Sequence, residues 1–95
     1  MKIKSIAVTR EEFGFPHVGD KCDMLVEYSD VLPGHPSKRV FTAGSLDGIK
    51  RYIEEEASRL PDSSPSLTTE SYVHSDIEEL GAYLKMALAN GKAKI

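Results

Sequence analysis

The sequence predicts a two-layer α+β domain: an antiparallel sheet of three or four strands with two helices on one face, in the order β-β-β-α-β-α. Three observations carry this. The stretch KCDMLVEYS, residues 21–29, alternates apolar and polar side chains as a half-buried strand does. SLDGIKRYIEEEASRLP places its apolar residues at helical spacing, and Ser75-Asp76-Ile77-Glu78 is a capping box ahead of a second such pattern. The 95 residues are read as one domain, 1–95, because so short a chain buries only about two-thirds of its unfolded surface and cannot be divided between two cores.

The first strand is predicted over Lys2–Thr9. Ile3 falls out of phase with Ile6 and Val8, so either a bulge near Ser5 re-phases the strand or it is covered on both sides. Residues 10–20 then form a connection longer than the usual hairpin loop of about two to five residues. In the second strand Cys22, Met24, Val26 and Tyr28 face inward and Leu25 is the one apolar exception outward. Pro33-Gly34 suits the two central positions of a type II turn, so the chain reverses there, with His35 exposed at the tip. RVFTA returns as the third strand with Phe41 inward.

The first helix starts from Ser45 as N-cap and buries Leu46, Ile49, Ile53 and Leu60, flanked by Tyr52 and Ala57, until Pro61 closes it. Lys50, Arg51, Glu54, Glu55 and Arg59 form a solvated outer face whose spacings of four suit ion pairs. The carboxylates of Glu54-Glu55-Glu56 point about 100° apart and cannot converge on one substrate atom, so the run reads as a solubility feature. PDSSPSLTT is a loop, and LTTESYV, residues 67–73, forms a fourth strand at an edge. In the last helix Ile77, Leu80, Leu84, Ala87 and Leu88 make the buried stripe. Gly81 and Ala82 permit close approach, and Asn90-Gly91 supplies the stop.

The formal charge of −3, with no basic block, argues against non-specific nucleic-acid binding. A single cysteine forms no internal disulfide, and neither a signal-type apolar segment nor a run near the ~18 apolar residues of a membrane span occurs. A cytoplasmic protein without membrane contact is therefore expected. Cys22 lies on the apolar strand face, and a thiol nucleophile or zinc site would need His17, His35 or His74 brought beside it by the fold. The scattered glycines make no phosphate-binding loop. The expectation is no enzyme, no cofactor and no metal.

The strand-strand-helix plan from Lys21 to Arg59 resembles the arm-binding domains at the front of tyrosine recombinases. That resemblance implies a DNA-facing sheet, but Asp23 and Glu27 stand where basic residues would meet phosphates, so no residue is carried over. In profile the chain is also similar to adaptors, immunity proteins and phage-encoded inhibitors such as anti-CRISPR proteins, which implies binding to a larger protein. The leading expectation is thus a non-catalytic interaction or inhibitor-type module whose partner carries a basic surface. Its candidate contacts lie in REEFGFPHVGDKC, residues 10–22: Glu11, Glu12, Phe13, Phe15, His17 and Asp20. Burial of Phe13 and Phe15 as a plug is favoured over a paired-Phe patch, because two rings add several kcal/mol to a small core. The alternative is nucleic-acid binding through Lys2, Lys4, Lys38 and Arg39. A free edge strand allows either a monomer or a strand-paired homodimer.

Overall fold

The structure, a computed structural model, describes residues 1–13, 19–70 and 74–93; for residues 12, 13, 19, 20, 70, 74 and 75 only the backbone is described. Six elements follow in the expected order: β1 (Lys2–Phe13), β2 (Gly19–Ser29), β3 (Lys38–Ala43), α1 (Leu46–Arg59), β4 (Ser66–Glu70) and α2 (His74–Ala93). The sheet order is β3-β2-β1-β4, with both helices on one face. β1–β2 and β2–β3 pair antiparallel, whereas β4 runs parallel to β1, so the sheet is mixed. The crossover through α1 is what permits that parallel pair, because a parallel return needs a long connection and not a hairpin.

The phase change in β1 is a bulge. Ile3 pairs with Tyr28 but Ser5 with Glu27, leaving Lys4 as the extra residue. This turns Ile3, Ile6 and Val8 all toward the helices, where they are buried. The Ile3 N–H donates to Ser63 Oγ at 2.8 Å, and Ser63 Oγ donates in turn to the Leu60 carbonyl at 2.7 Å. A serine in an apparently featureless loop thus pins the start of the sheet to the end of α1.

Cys22, Met24, Val26 and Tyr28 complete the sheet side of the core, and Ile49, Ile53, Ala57, Leu80, Leu84 and Ala87 the helix side. Ser45 caps α1 as expected, accepting from the Gly48 N–H. The turn at Pro33-Gly34 forms with Gly34 at φ +82° and the His35 N–H donating to the Leu32 carbonyl at 3.0 Å, which matches type II.

Several local expectations are corrected. β1 continues past Thr9 to Phe13 and β2 begins at Gly19, because the backbone ladder runs on through Arg10↔Cys22, Glu11↔Lys21 and Glu12↔Asp20. The connection is therefore residues 14–18, an ordinary hairpin length. Its flanks hid the strands, since Arg10, Glu11, Glu12, Asp20 and Lys21 carry no apolar alternation. His35 is half-buried, its ring edge-on to Tyr28 at 5.3 Å between centroids. α2 opens at His74, one residue before Ser75, whose side chain lies outside the described atoms.

Asn90-Gly91 does not stop α2, which continues to Ala93. Gly91 is buried against α1 instead: a Cβ there would lie 2.7 Å from the Ala57 carbonyl oxygen and 3.1 Å from Pro61 Cβ. The glycine is a close-approach residue between helices. Ala82, expected to serve that purpose, is exposed.

Candidate interaction surfaces

The register defines three surfaces. Among the described residues β4 pairs with β1 over Ser5–Thr9, and β3 with β2 over Cys22–Glu27. Residues 11–13 and 19–21 pair with each other and, among the described residues, with no other strand, as a two-stranded ribbon. The structure brings Glu11, Glu12, Phe13 and Asp20 together on this ribbon, with Glu11 exposed. Phe15 and His17 lie outside the described residues, as do the side chains that would decide whether Phe13 and Phe15 form a plug or a patch. At the ribbon's root Arg10 pairs with Cys22 on the inward side and meets Asp76 in the first turn of α2, Nη1 to Oδ2 3.4 Å. That acidic residue is also well placed at the positive end of the helix.

The second surface is the sheet face away from the helices. Cross-strand pairing aligns Val40, Leu25 and Ala7 in one row, Lys38, Glu27 and Ser5 on one side of it, and Thr42, Asp23 and Thr9 on the other. Val40 is 67% exposed. Thr42 donates to Asp23 at 2.7 Å, and Lys38 lies 3.6 Å from Glu27. Leu25, the exception to the strand pattern, is thereby the centre of a short apolar row with polar margins.

The third surface lies where β3 meets α1, at the sheet edge. Here the reading of Glu54-Glu55-Glu56 as wholly solvated is corrected, because Glu56 is only 3% exposed. It accepts a 2.6 Å hydrogen bond from the Tyr28 hydroxyl and two 2.9 Å bonds from Arg59 Nη2. Arg39 Nη1 stands 3.6 Å away, its guanidinium 4.9 Å from the centre of the Phe41 ring. A buried carboxylate is tolerable only with this kind of compensation.

Tyr28 responds to the same cluster. Burial first, then donation to Glu56 and the charge of Glu56, push its pKa up to about 12. The cluster opens onto a surface groove of about 580 Å³ lined by Arg39, Phe41, Glu55, Ser58 and Arg59 among others.

The outer-face ion pairs expected at spacings of four are replaced by others. Arg59 turns back to Glu56, and Lys50 bridges to Glu79 of α2 with Asp47 nearby. Donation to Glu79 raises the Lys50 pKa. Tyr83 of α2 donates to Glu54 at 3.2 Å; burial, then this bond, raises its pKa too.

Glu56 was legible in principle: with Ile49, Ile53 and Leu60 it completes an i, i+4, i+7, i+11 stripe, so its place on the buried face follows from spacing alone. Ser63 carried no such signal. Among the described residues no group of three or more His, Cys, Asp or Glu side chains is arranged to hold a metal, and no helix is long and apolar enough to cross a membrane. Compared with family models, curated proteins and solved structures, the chain gives no match in any of the three.

Proposed function

We propose that the protein is a non-catalytic interaction module that binds a larger protein partner, inhibitor-like in that it acts by covering part of that partner's surface. The observation that carries this reading is the uncovered sheet face, where the Val40–Leu25–Ala7 row has an apolar centre and polar margins. That is the composition of an interface core and rim. The ribbon carries Glu11, Glu12 and Asp20 against Arg10 and Lys21, a small acidic excess that supports a partner with a basic surface through complementary charge. Two bases that a nucleic-acid reading requires are already engaged: Lys38 lies by Glu27, and Arg39 by Glu56.

The test is site-specific photocrosslinking in cells of origin, with the crosslinking residue placed at Val40, at Glu11 or at Met86, an exposed position on α2. The expected result is one covalent adduct formed from positions 40 and 11, absent from position 86, and lost when Leu25 is changed to Glu. Equal adducts from all three positions, or none, would remove the reading.

A further inference from the structure

We infer that the turn joining β2 to β3 anchors the interaction surface: its Leu32 side chain enters an apolar pocket on the protein partner, and Asp30 meets a basic rim around that pocket. This rests on the interaction reading and deepens it by naming the anchoring contact and the chemistry of the partner's site.

The exposed apolar side chains gather here. Among the described residues the large apolar side chains open to water are Val31, Leu32, Val40 and Met86, and the first three belong to a single hairpin. Leu32 is 58% exposed and stands at the corner of the Pro33-Gly34 turn, with Val31 before it. One exposed leucine needs no explanation, but adjacent apolar residues at a turn, where polar ones prevail, mark a contact site. The turn and the ribbon lie at opposite ends of β2 with the Val40–Leu25–Ala7 row between them, so the turn extends the surface already described.

The turn is also held in place before any partner arrives. Pro33 and Pro36 fix φ at two positions, and the chain reverses through Asp30 at φ +52° and Gly34 at φ +82°. The Leu32 carbonyl accepts from the His35 N–H, and the Tyr28 N–H donates to the Ser37 carbonyl at 2.9 Å, closing the loop at its base. His35 Nδ1 donates to the Pro36 carbonyl at 2.7 Å, and its ring packs edge-on against Tyr28, which is buried and bonded to Glu56. An exposed leucine on backbone this constrained loses little conformational freedom on binding, and preorganisation of that kind raises affinity. A convex tip carrying a branched aliphatic side chain fits a concave apolar site.

Charge chooses among such sites. At the start of β3 Lys38 lies by Glu27 and Arg39 by Glu56, and Lys2 stands across from Ser29 on β1. Asp30 is exposed and, among the described residues, makes no ion pair, so the charge nearest Leu32 in the chain is an open carboxylate. It favours a basic rim, the same sign of partner as the ribbon's small acidic excess. It also opposes an anionic lipid surface, as does the formal charge of −3.

The experiment places the photocrosslinking residue at Leu32 or at Val40 of the full chain in cells of origin, maps the crosslinked peptide by mass spectrometry, and then measures binding of the purified partner. Both positions should give the same partner, and position 32 should map to apolar residues flanked by Lys or Arg. Leu32→Ala should weaken binding about tenfold, the size of one buried aliphatic side chain, whereas Leu32→Met should stay within about threefold of the parent. Asp30→Asn, which keeps a residue tolerant of positive φ, should weaken binding about two- to threefold. Pro33→Ala, which frees the turn, should weaken it about threefold. These positions are exposed, and amide spectra of each variant check that the fold is unchanged. Equal binding by Leu32→Ala, an adduct from position 32 that maps to a polar surface or to a second copy of this chain, or cosedimentation with phosphatidylcholine–phosphatidylserine vesicles that Leu32→Ala abolishes would overturn the inference. An adduct from position 40 without one from position 32 overturns it too and leaves the broader interaction reading standing; no adduct from either position overturns both.

Discussion

At one edge of the sheet β3 and α1 enclose a groove floored by Glu56 between Arg39 and Arg59; at the other edge β4 and α2 enclose one of about 350 Å³ lined by Leu67, Leu84, Leu88, Pro65 and Gly81. The plan is the same, an edge strand beside a helix, but the chemistry is opposite. At the β4 edge the lining is mainly apolar, and its buried polar residue, Ser63, is uncharged and held by the Ile3 N–H and the Leu60 carbonyl. At the β3 edge a single carboxylate occupies a stripe position, so the geometry of three other side chains must be right for burial to be tolerated. Apolar packing dominates at the β4 edge, and directional bonds around a buried charge dominate at the β3 edge.

The two edges should respond differently to four changes. The largest effect is expected at the helix contact behind the apolar edge. Gly91→Ala drives a methyl to 2.7 Å from the Ala57 carbonyl oxygen, which the backbone cannot yield cheaply. Even after the gain in helix propensity, a loss of about 2 kcal/mol is expected. Thermal melting should show it as a fall of roughly 10 °C for a domain of this size.

The charged edge is next. Tyr28→Phe removes a donor from Glu56, and Glu56→Leu removes the acceptor from a buried hydroxyl. Each should cost about 1–2 kcal/mol in urea unfolding, yet the double variant should lose about 1 kcal/mol less than the sum. Strict additivity would show that the pair contributes nothing beyond its separate packing.

The pH dependence of stability follows from the same bond. The folded state holds Tyr28 protonated, with its pKa near 12 against an ordinary 10. A pKa raised on folding gives stability that is fully present below about pH 10 and is lost as pH rises through about 12, amounting to up to about 2 kcal/mol. Tyr83 acts in the same direction from α2. Alkaline unfolding curves of the parent and of Tyr28→Phe should therefore converge above pH 12, the parent being the more sensitive to pH.

The smallest effect has the opposite sign. A Cβ at Gly81 meets only Leu67 Cδ2, at 3.9 Å, an ordinary contact in the β4 groove. Gly81→Ala should stabilise by about 0.5–1 kcal/mol through helix propensity. Two glycines ten residues apart on one helix thus respond oppositely to the same substitution, and a calorimetric comparison of the two variants reads out the packing difference directly.

The β2 alternation, the α1 stripe with its Ser45 cap and the Pro33-Gly34 turn were all legible, because each is a local regularity whose period or dihedral requirement is written in neighbouring residues. The ribbon was not, since the residues that form it are mostly polar and carry no apolar period. Of the candidate contacts, Glu11, Glu12, Phe13 and Asp20 do share that ribbon, but their grouping follows from pairing across the hairpin and not from proximity in the sequence alone.

The amino-acid order was enough for the order of the elements, the apolar faces of β2 and α1, and the expectation that two amphipathic helices cover one side of a sheet. Only the tertiary structure decided that β4 lies parallel beside β1, that Gly91 serves helix contact and not helix termination, and that Glu56 is enclosed while its two neighbours are not. The reason is physical. Periodicity fixes a side chain's direction relative to its own element, but burial and charge pairing depend on what another element places opposite it. For Glu56 those partners are Tyr28, 28 residues away on β2, and Arg39 on β3.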